Sequence, residues 1–202
     1  EVSFHEGINV LVGHNNSGKS NLLTALALIF DHTANRQLAV DDFFNGITLD
    51  ELRRTAPKIK ITVTISQSKD ENLMGDELVT VSNWLTSLDE PYQAQLQYEY
   101  FLPLGEEEDY KKRVSGVDNH NEIWRIIKNE YIRFYTYKIW AGNPDNRVTV
   151  DSESLRKFDY QFLKKDIPAN IVGLSGIIAD LRAKEEFRKL QYGNTFERLR
   201  QK

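Results

Sequence analysis

The feature that most constrains the fold is a glycine-rich loop near the start of the chain, with the sequence Gly13-His14-Asn15-Asn16-Ser17-Gly18-Lys19-Ser20. It matches the spacing G-x-x-x-x-G-K-[ST], in which a strand enters the loop and a helix begins at its lysine. Gly13 permits a tight exit from the strand, and Gly18 lets the backbone approach a phosphate that a side chain would block. The spacing therefore predicts a phosphate-binding P-loop.

The flanks of this loop have the periodicities that the motif requires. The apolar run Ile8–Val12 ends at Gly13 and predicts a buried strand. From Lys19 to Phe30 leucines recur at helical spacing among alanines, which predicts a helix with a strongly apolar face. Since both flanks are recognised without reference to the motif, they strengthen its interpretation as a phosphate site.

The residue types in the loop suit a bound polyphosphate. Backbone N–H groups from about Asn16 to Ser20 can converge on a β-phosphate at the helix N-terminus, where the helix dipole favours an anion. Lys19, the candidate catalytic residue, supplies a mobile positive charge for the β and γ oxygens, and Ser20 a hydroxyl ligand for Mg²⁺. The sequence therefore predicts binding of ATP with Mg²⁺. The candidate nucleotide-binding residues are Gly13, Asn15, Asn16, Ser17, Gly18, Lys19, Ser20 and Asn21.

Beyond the first helix, alternating apolar and polar residues predict antiparallel strands with one solvated face. Together with the covered strand before the P-loop they indicate an α/β chain with a mixed sheet and an antiparallel portion at about 58–140. The predicted strands are Ile59–Ile65, Leu96–Leu102 and Glu130–Trp140, and the predicted helical segments are a turn within Asp50–Thr55 and an amphipathic helix at Ile177–Leu190.

Composition excludes several classes of protein. With 202 residues, 40% hydrophobic and 28% charged, the chain has ordinary globular usage, and its net charge of -4 argues against a wholly basic nucleic-acid-coating protein. The absence of cysteine removes disulfides and thiolate zinc sites and predicts a cytoplasmic location. The four scattered histidines argue against an imidazole metal site. The longest apolar run, Leu22–Phe30, is too short to span a bilayer.

Positive charge gathers at the C-terminal end. From Ile177 onward the chain has seven basic and four acidic residues. Two interpretations stay open: solvated helix faces with i, i+4 ion pairs, or a surface that contacts a phosphate backbone through residues such as Arg188 and Lys189.

The P-loop segment resembles a known family. Asn15, the run Asn16–Leu23 and the following Ala25-Leu26 resemble the ABC/SMC-type ATPase heads, and most of all the OLD (overcoming lysogenization defect) family of ATP-dependent nucleases, which includes relatives in antiphage defence. The resemblance covers about residues 7 to 30. It implies a P-loop NTPase fold with an antiparallel β subdomain, use of ATP and Mg²⁺, dimerisation through the heads, and contact with DNA and possible partner proteins through a longer parent protein.

The chain also departs from that family. A complete head needs a signature loop followed by a Walker B strand with an acid pair, and the nucleases add a Toprim domain. The run Leu88-Asp89-Glu90-Pro91 has the letters of a Walker B end, but the residues before it lack the pattern of a buried strand. Leu174-Ser175-Gly176 is better interpreted as a turn at a helix start, since it follows the supposed Walker B. The resemblance therefore implies an incomplete head at 1–165 and a helical segment at 166–202.

The missing acid has a mechanistic consequence. Hydrolysis needs a residue that orients water, which the P-loop does not supply, so the chain is expected to bind nucleotide better than it hydrolyses it. Because Glu1 is not an initiator Met, we expect a longer parent protein. Two alternatives to the nuclease remain: an SMC/RecF-type DNA-repair clamp without nuclease activity, and a module whose degenerate P-loop only senses nucleotide.

Overall fold

The computed structural model describes residues 1–5, 7–15, 17–67, 82–87, 89 and 91–156. All of them belong to the first of two units into which the chain divides, Glu1–Phe162 and Leu163–Lys202. The helix predicted at Ile177–Leu190, the turn at Leu174–Gly176 and the C-terminal basic surface lie outside the described residues. So do Asn16 of the P-loop and two residues of the Walker B look-alike, Leu88 and Glu90.

The described chain contains five α-helices and five strands, with several short turns of other helical types. The helices are α1 (Lys19–Phe30), α2 (Leu49–Arg54), α3 (Leu104–Val114), α4 (His120–Ile126) and α5 (Ser152–Arg156). A π-helical turn (Ile127–Tyr131) and a 3₁₀ turn (Ile132–Phe134) continue α4, and further 3₁₀ turns lie at Val40–Asp42, Ser82–Trp84 and Pro144–Asn146. The strands are β1 (Ile59–Ser66), β2 (Leu85–Ser87), β3 (Gln93–Phe101), β4 (Thr136–Ala141) and β5 (Val148–Thr149).

The strands form one antiparallel sheet in the order β1-β3-β4-β5, and β2 pairs with the start of β3. Register places Ile61 opposite Tyr98, and Tyr98 opposite Ile139. Because side chains alternate between the two faces of a strand, these residues share one face, which packs into the core. The predicted strands Ile59–Ile65 and Leu96–Leu102 are confirmed.

Buried tyrosines connect the sheet and α3 to the segments around them. Four of their hydroxyl groups donate to main-chain carbonyl oxygens at 2.7 to 2.9 Å. Each bond satisfies a polar group that burial would otherwise leave unpaired. The donor and acceptor pairs are Tyr98 to Arg36, Tyr100 to Leu38, Tyr110 to Leu52, and Tyr135 to Pro57.

The predicted helical turn within Asp50–Thr55 is α2, and its start has a reciprocal cap. The Glu51 backbone N–H donates to the Thr48 hydroxyl, and the Thr48 backbone N–H donates to the Glu51 carboxylate at 2.8 Å. Such a capping box satisfies two N–H groups that lack partners within the helix. It also lowers the pKa of Glu51, chiefly through the hydrogen bond from the Thr48 hydroxyl.

Two predicted strands differ from the structure. Only the end of the predicted strand Glu130–Trp140 is extended, as part of β4, because its first residues continue α4 as π-helical and 3₁₀ turns. The buried residues Ile123, Ile127 and Tyr131 recur every four positions, so the helical period extends into the aromatic run.

The buried strand predicted at Ile8–Val12 is not formed among the described residues. Its backbone has no regular structure, and Ile8, Val10 and Val12 are 89%, 76% and 90% exposed. A strand is stabilised by hydrogen bonds to neighbouring strands, and each strand that pairs in the described sheet comes later in the chain. An apolar run alone does not supply those partners.

Candidate phosphate-binding site

Helix α1 begins where the motif requires, at Lys19, and Gly18 precedes it as the N-cap. Gly18 has a φ of 85°, in the left-handed region that favours glycine, and this conformation turns the loop into the helix. The first hydrogen bond of the helix runs from the Leu22 N–H to the Gly18 carbonyl at 3.0 Å. The preceding N–H groups therefore have no intrahelical partner and can donate to a ligand.

The N-terminus of α1 suits an anion. No side chain in the described part of the chain caps Gly18, and the first turn contains no acidic residue. The helix dipole adds partial positive charge at this end, and α1 has 12 residues to build it. This end of α1 therefore combines unpaired donors with a favourable potential for phosphate.

The Lys19 ammonium bends back over the loop. Its Nζ donates to the carbonyl oxygens of Gly13 and His14 at 2.6 Å each and to the Ser17 hydroxyl at 3.2 Å. These acceptors are neutral, so the positive charge has no carboxylate partner within the loop. A bound phosphate would offer a stronger acceptor than these neutral groups.

The loop closes tightly at Gly13. A Cβ built on this residue would lie 2.7 Å from the Ser17 Oγ, and the Ser17 N–H donates to the His14 carbonyl at 3.2 Å. A side chain at Gly13 would therefore push Ser17 out of the position in which its hydroxyl contacts Lys19.

The structure brings together part of the predicted site. Gly13, Ser17, Gly18 and Lys19 form one connected cluster through the contacts above. Asn15, Ser20 and Asn21 are exposed beside it, and Asn16 is outside the described residues. The Ser20 hydroxyl, in the first turn of α1, is open to solvent and is the only predicted metal ligand.

A cavity of about 710 Å³ opens along α1 next to the loop. Asn21 and Thr24 line its helix side, and Asp41, Asp42 and Phe43 line the opposite side. Asp42 is held in place because its carboxylate accepts the Ala39 N–H at 2.8 Å. The sequence pattern does not reveal these acidic residues, because the segment 38–57 has no clean hydrophobic period that would place it against α1.

The far end of α1 is held by Arg36, which the sequence analysis also missed. Its Nε donates to the Leu28 carbonyl at 2.8 Å, and its Nη2 donates to the Asp31 carbonyl at 2.9 Å. A cation at this end complements the negative pole of the helix. Next to it, hydrogen bonds from the hydroxyl and backbone N–H of Thr33 lower the pKa of Asp31.

The Walker B look-alike is only partly described. Asp89 is exposed, and its backbone N–H donates to the Ser87 hydroxyl at 3.1 Å. The residues before it form a 3₁₀ turn and the three-residue strand β2, which is half-buried. They are not the long buried strand that a Walker B motif requires.

Within the described ranges no group of three or more histidine and carboxylate side chains could hold a metal ion. None of the helices in this part of the chain has the length and apolar character that crossing a bilayer requires.

Comparison with known families agrees with this site. A family model described as AAA ATPase domain matches residues 1–179, which include the P-loop and every described element. Comparison with curated proteins gave no match, and comparison with solved structures gave none either. The fold is of the α/β P-loop type, with helices beside an antiparallel sheet. The chain belongs to the AAA ATPase domain family and is an ATP-binding ATPase domain.

Proposed function

We propose that this chain is the ATP-binding part of an ABC-type ATPase head that regulates DNA cleavage by an OLD-like nuclease. The observation that carries the nucleotide part is the uncapped N-terminus of α1 with the Lys19 ammonium bent over the loop. The ABC subtype and the link to a nuclease rest on the resemblance of residues 7 to 30. Dimerisation of the heads, contact with DNA and a cytoplasmic location belong to the same proposal.

Nucleotide binding would give the Lys19 ammonium a new set of hydrogen-bond acceptors. The Lys19 ammonium leaves the neutral carbonyl oxygens of Gly13 and His14 for the charged β and γ oxygens of ATP. The free N–H groups at the start of α1 donate to the β-phosphate. Mg²⁺ fits the exposed hydroxyl of Ser20, where it would neutralise part of the phosphate charge.

The nucleotide part is tested by titrating a fluorescent ATP analogue into wild type, Lys19→Ala and Lys19→Arg. Loss of a charge-assisted bond of roughly 1.5 to 3 kcal/mol predicts binding about 10- to 100-fold weaker in Lys19→Ala. Lys19→Arg should also bind less well, because a planar guanidinium cannot replace a compact ammonium inside the loop. The control is Lys112→Ala on the exposed side of α3. Equal affinity in all four proteins would contradict the site.

The nuclease part is tested in the gene product that contains this chain. We expect ATP to change its rate of DNA cleavage, and Lys19→Ala to remove that change while the variant stays folded. ATP-dependent binding to DNA without cleavage would contradict the nuclease and favour an SMC/RecF-type clamp. Nucleotide binding with neither DNA cleavage nor DNA binding would favour a nucleotide-sensing module.

A further inference from the structure

Positive charge gathers on the face of the sheet that points away from the core. Register and alternation place four residues on this face: Lys60, Glu99, Lys138 and Trp140. Lys58 lies two residues before Lys60, and Arg147 lies two residues before Thr149, which pairs with Trp140, so both continue the face just beyond the strand ends. We call these six residues the polar sheet face. Four are basic and one is acidic, although the chain as a whole has a net charge of -4. This surface therefore has a net positive charge, opposite in sign to that of the chain.

Glu99 organises this surface from its centre. The residue is only 9% exposed, and its carboxylate lies 3.6 Å from the Lys58 Nζ and 3.3 Å from the Arg147 Nη1. It also accepts the indole N–H of Trp140 at 3.1 Å. One carboxylate therefore positions two cations. Its single negative charge balances only one of them, so the surface keeps an excess of positive charge.

Trp140 positions cations as well. The Arg147 guanidinium lies 4.2 Å from the centre of the indole ring, and the Lys138 ammonium lies 5.1 Å from it. With its N–H bonded to Glu99 and cations against its ring, Trp140 is not an open platform on which a nucleic-acid base could stack. The surface is therefore suited to phosphate groups rather than to bases.

Lysines flank Glu99 on both neighbouring strands of the sheet. Lys60 and Lys138 both lie directly opposite Glu99, one on each neighbouring strand. Two strand spacings separate them by about 10 Å, so each can contact a different phosphate group. Both lysines are exposed, and Lys58, with 62% of its side chain exposed, extends the row along β1.

We propose that the polar sheet face binds the phosphate backbone of duplex DNA, without reading its base sequence. This inference rests on the DNA-linked function proposed above and names the surface that would contact the DNA. It differs from the C-terminal basic surface considered in the sequence analysis, because it lies on the sheet itself. A surface that contacts phosphates alone predicts similar affinity for unrelated sequences and a steep dependence of that affinity on salt.

The test compares two double variants that remove the same charge. Lys60→Gln/Lys138→Gln changes the polar sheet face, and Lys112→Gln/Lys128→Gln changes two exposed lysines on the helical side of the chain. Fluorescence anisotropy with two labelled duplexes of unrelated sequence gives the association constant at several salt concentrations. We expect wild type and the control variant to bind both duplexes alike. The polar-face variant should bind more weakly, with a slope of log K against log salt smaller by about 1.8, the value for two lost phosphate contacts.

Several outcomes would overturn the inference. These are equal slopes for the two double variants, no binding of duplex DNA by wild type, or tighter binding of single strands than of duplexes. Binding to vesicles that contain phosphatidylserine, lost in the polar-face variant and not accompanied by DNA binding, would assign the surface to a membrane. Since ATP binding is measured separately through Lys19→Ala, failure of DNA binding does not affect the nucleotide site.

Discussion

The Tyr98 hydroxyl donates a 2.7 Å hydrogen bond to the main-chain oxygen of Arg36, so the central strand of the sheet holds the chain that follows the P-loop helix. The side chain of Arg36 in turn caps the C-terminal end of α1. Two residues further along both segments, Tyr100 donates to the Leu38 carbonyl at 2.9 Å. The helix that follows the P-loop is therefore attached to the sheet through partly buried hydrogen bonds at the end opposite the P-loop.

Removal of one tyrosine hydroxyl should weaken this attachment. In Tyr98→Phe the ring stays in the core but the Arg36 carbonyl loses its donor, so we expect a loss of roughly 1 to 3 kcal/mol in the free energy of unfolding. Urea unfolding followed by circular dichroism measures it. Tyr137→Phe is the matched control, because Tyr137 stacks on Tyr98 but is 40% exposed. Equal stability of the two variants would show that the hydrogen bond contributes nothing.

Arg36 should stabilise the end of α1 without taking part in nucleotide binding. Arg36→Met keeps most of the aliphatic side chain but removes the donors to the Leu28 and Asp31 carbonyls. We expect unfolding to become easier by about 1 to 3 kcal/mol and amide hydrogen exchange to rise in the last turn of α1. Affinity for the ATP analogue should change little, because the P-loop lies at the other end of the helix.

The control for this variant is Arg133→Met. Arg133 is exposed and lies 4.6 Å from the ring of Phe134, so it offers a similar aliphatic stem and a cation–π contact. It should leave the exchange of α1 amides unchanged. A selective loss of nucleotide affinity in Arg36→Met, with normal exchange in α1, would contradict the capping role and indicate a role in the site.

The capping box of α2 should make stability depend on pH in the acid range. The folded state lowers the pKa of Glu51 below its ordinary 4.5, so the carboxylate stabilises the fold above that pH. This contribution is lost as the pH falls through the lowered value. Wild type should therefore exceed Glu51→Gln in stability at neutral pH, and this advantage should shrink as the pH falls below 4.5.

Urea midpoints at neutral pH and at a pH below 4.5 measure this effect. Glu153→Gln is the control, because Glu153 is a first-turn glutamate in α5 outside any such reciprocal pair with a threonine. The same two measurements on this variant give the effect of a Glu→Gln substitution in a first helical turn by itself. A wild-type advantage over Glu51→Gln that persists undiminished at acid pH would contradict the assignment of this carboxylate.

The geometry of the candidate phosphate site was predictable because it is local. The conformation of Gly18, the start of α1 at Lys19 and the closure at Gly13 all arise within the motif itself. The alternation in β1 was equally informative, because its polar residues are exposed and its apolar residues are half-buried. The alternation in β3 also predicted a strand, although Gln97 and Glu99 on its polar face are buried. Helix α3 was missed because Tyr110 and Val114 are its only buried residues, too few to show a helical period. The acidic residues in its first turn and the basic residues in its last turn complement the helix dipole, and they were the sequence feature that could have indicated this helix.

The polar sheet face could not be predicted from the sequence. Lys60, Glu99 and Lys138 are far apart in the chain and come together only through the register of three strands. The buried tyrosine bonds have the same origin, since Tyr98 and Arg36 are separated by 62 positions. Sequence periodicity shows which face a residue takes, but not which strand will be its neighbour. That limit also accounts for Ile8–Val12, whose apolar pattern has no described strand beside it.

A methyl group at Gly18 should lower both the stability of the chain and its affinity for nucleotide. In Gly18→Ala the added Cβ has no atom within 4 Å, so the expected loss of roughly 1 to 2 kcal/mol in stability comes from the left-handed backbone alone. Gly105→Ala is the matched control, because Gly105 has equally open space and lies in the first turn of α3 without a positive φ. That variant should gain up to about 1 kcal/mol from helix propensity.

The two glycine variants should also differ in nucleotide affinity. Since the methyl at Gly18 would face an approaching phosphate, only Gly18→Ala should lose affinity for the ATP analogue. Normal affinity and stability in Gly18→Ala would contradict both the loop conformation and the phosphate site.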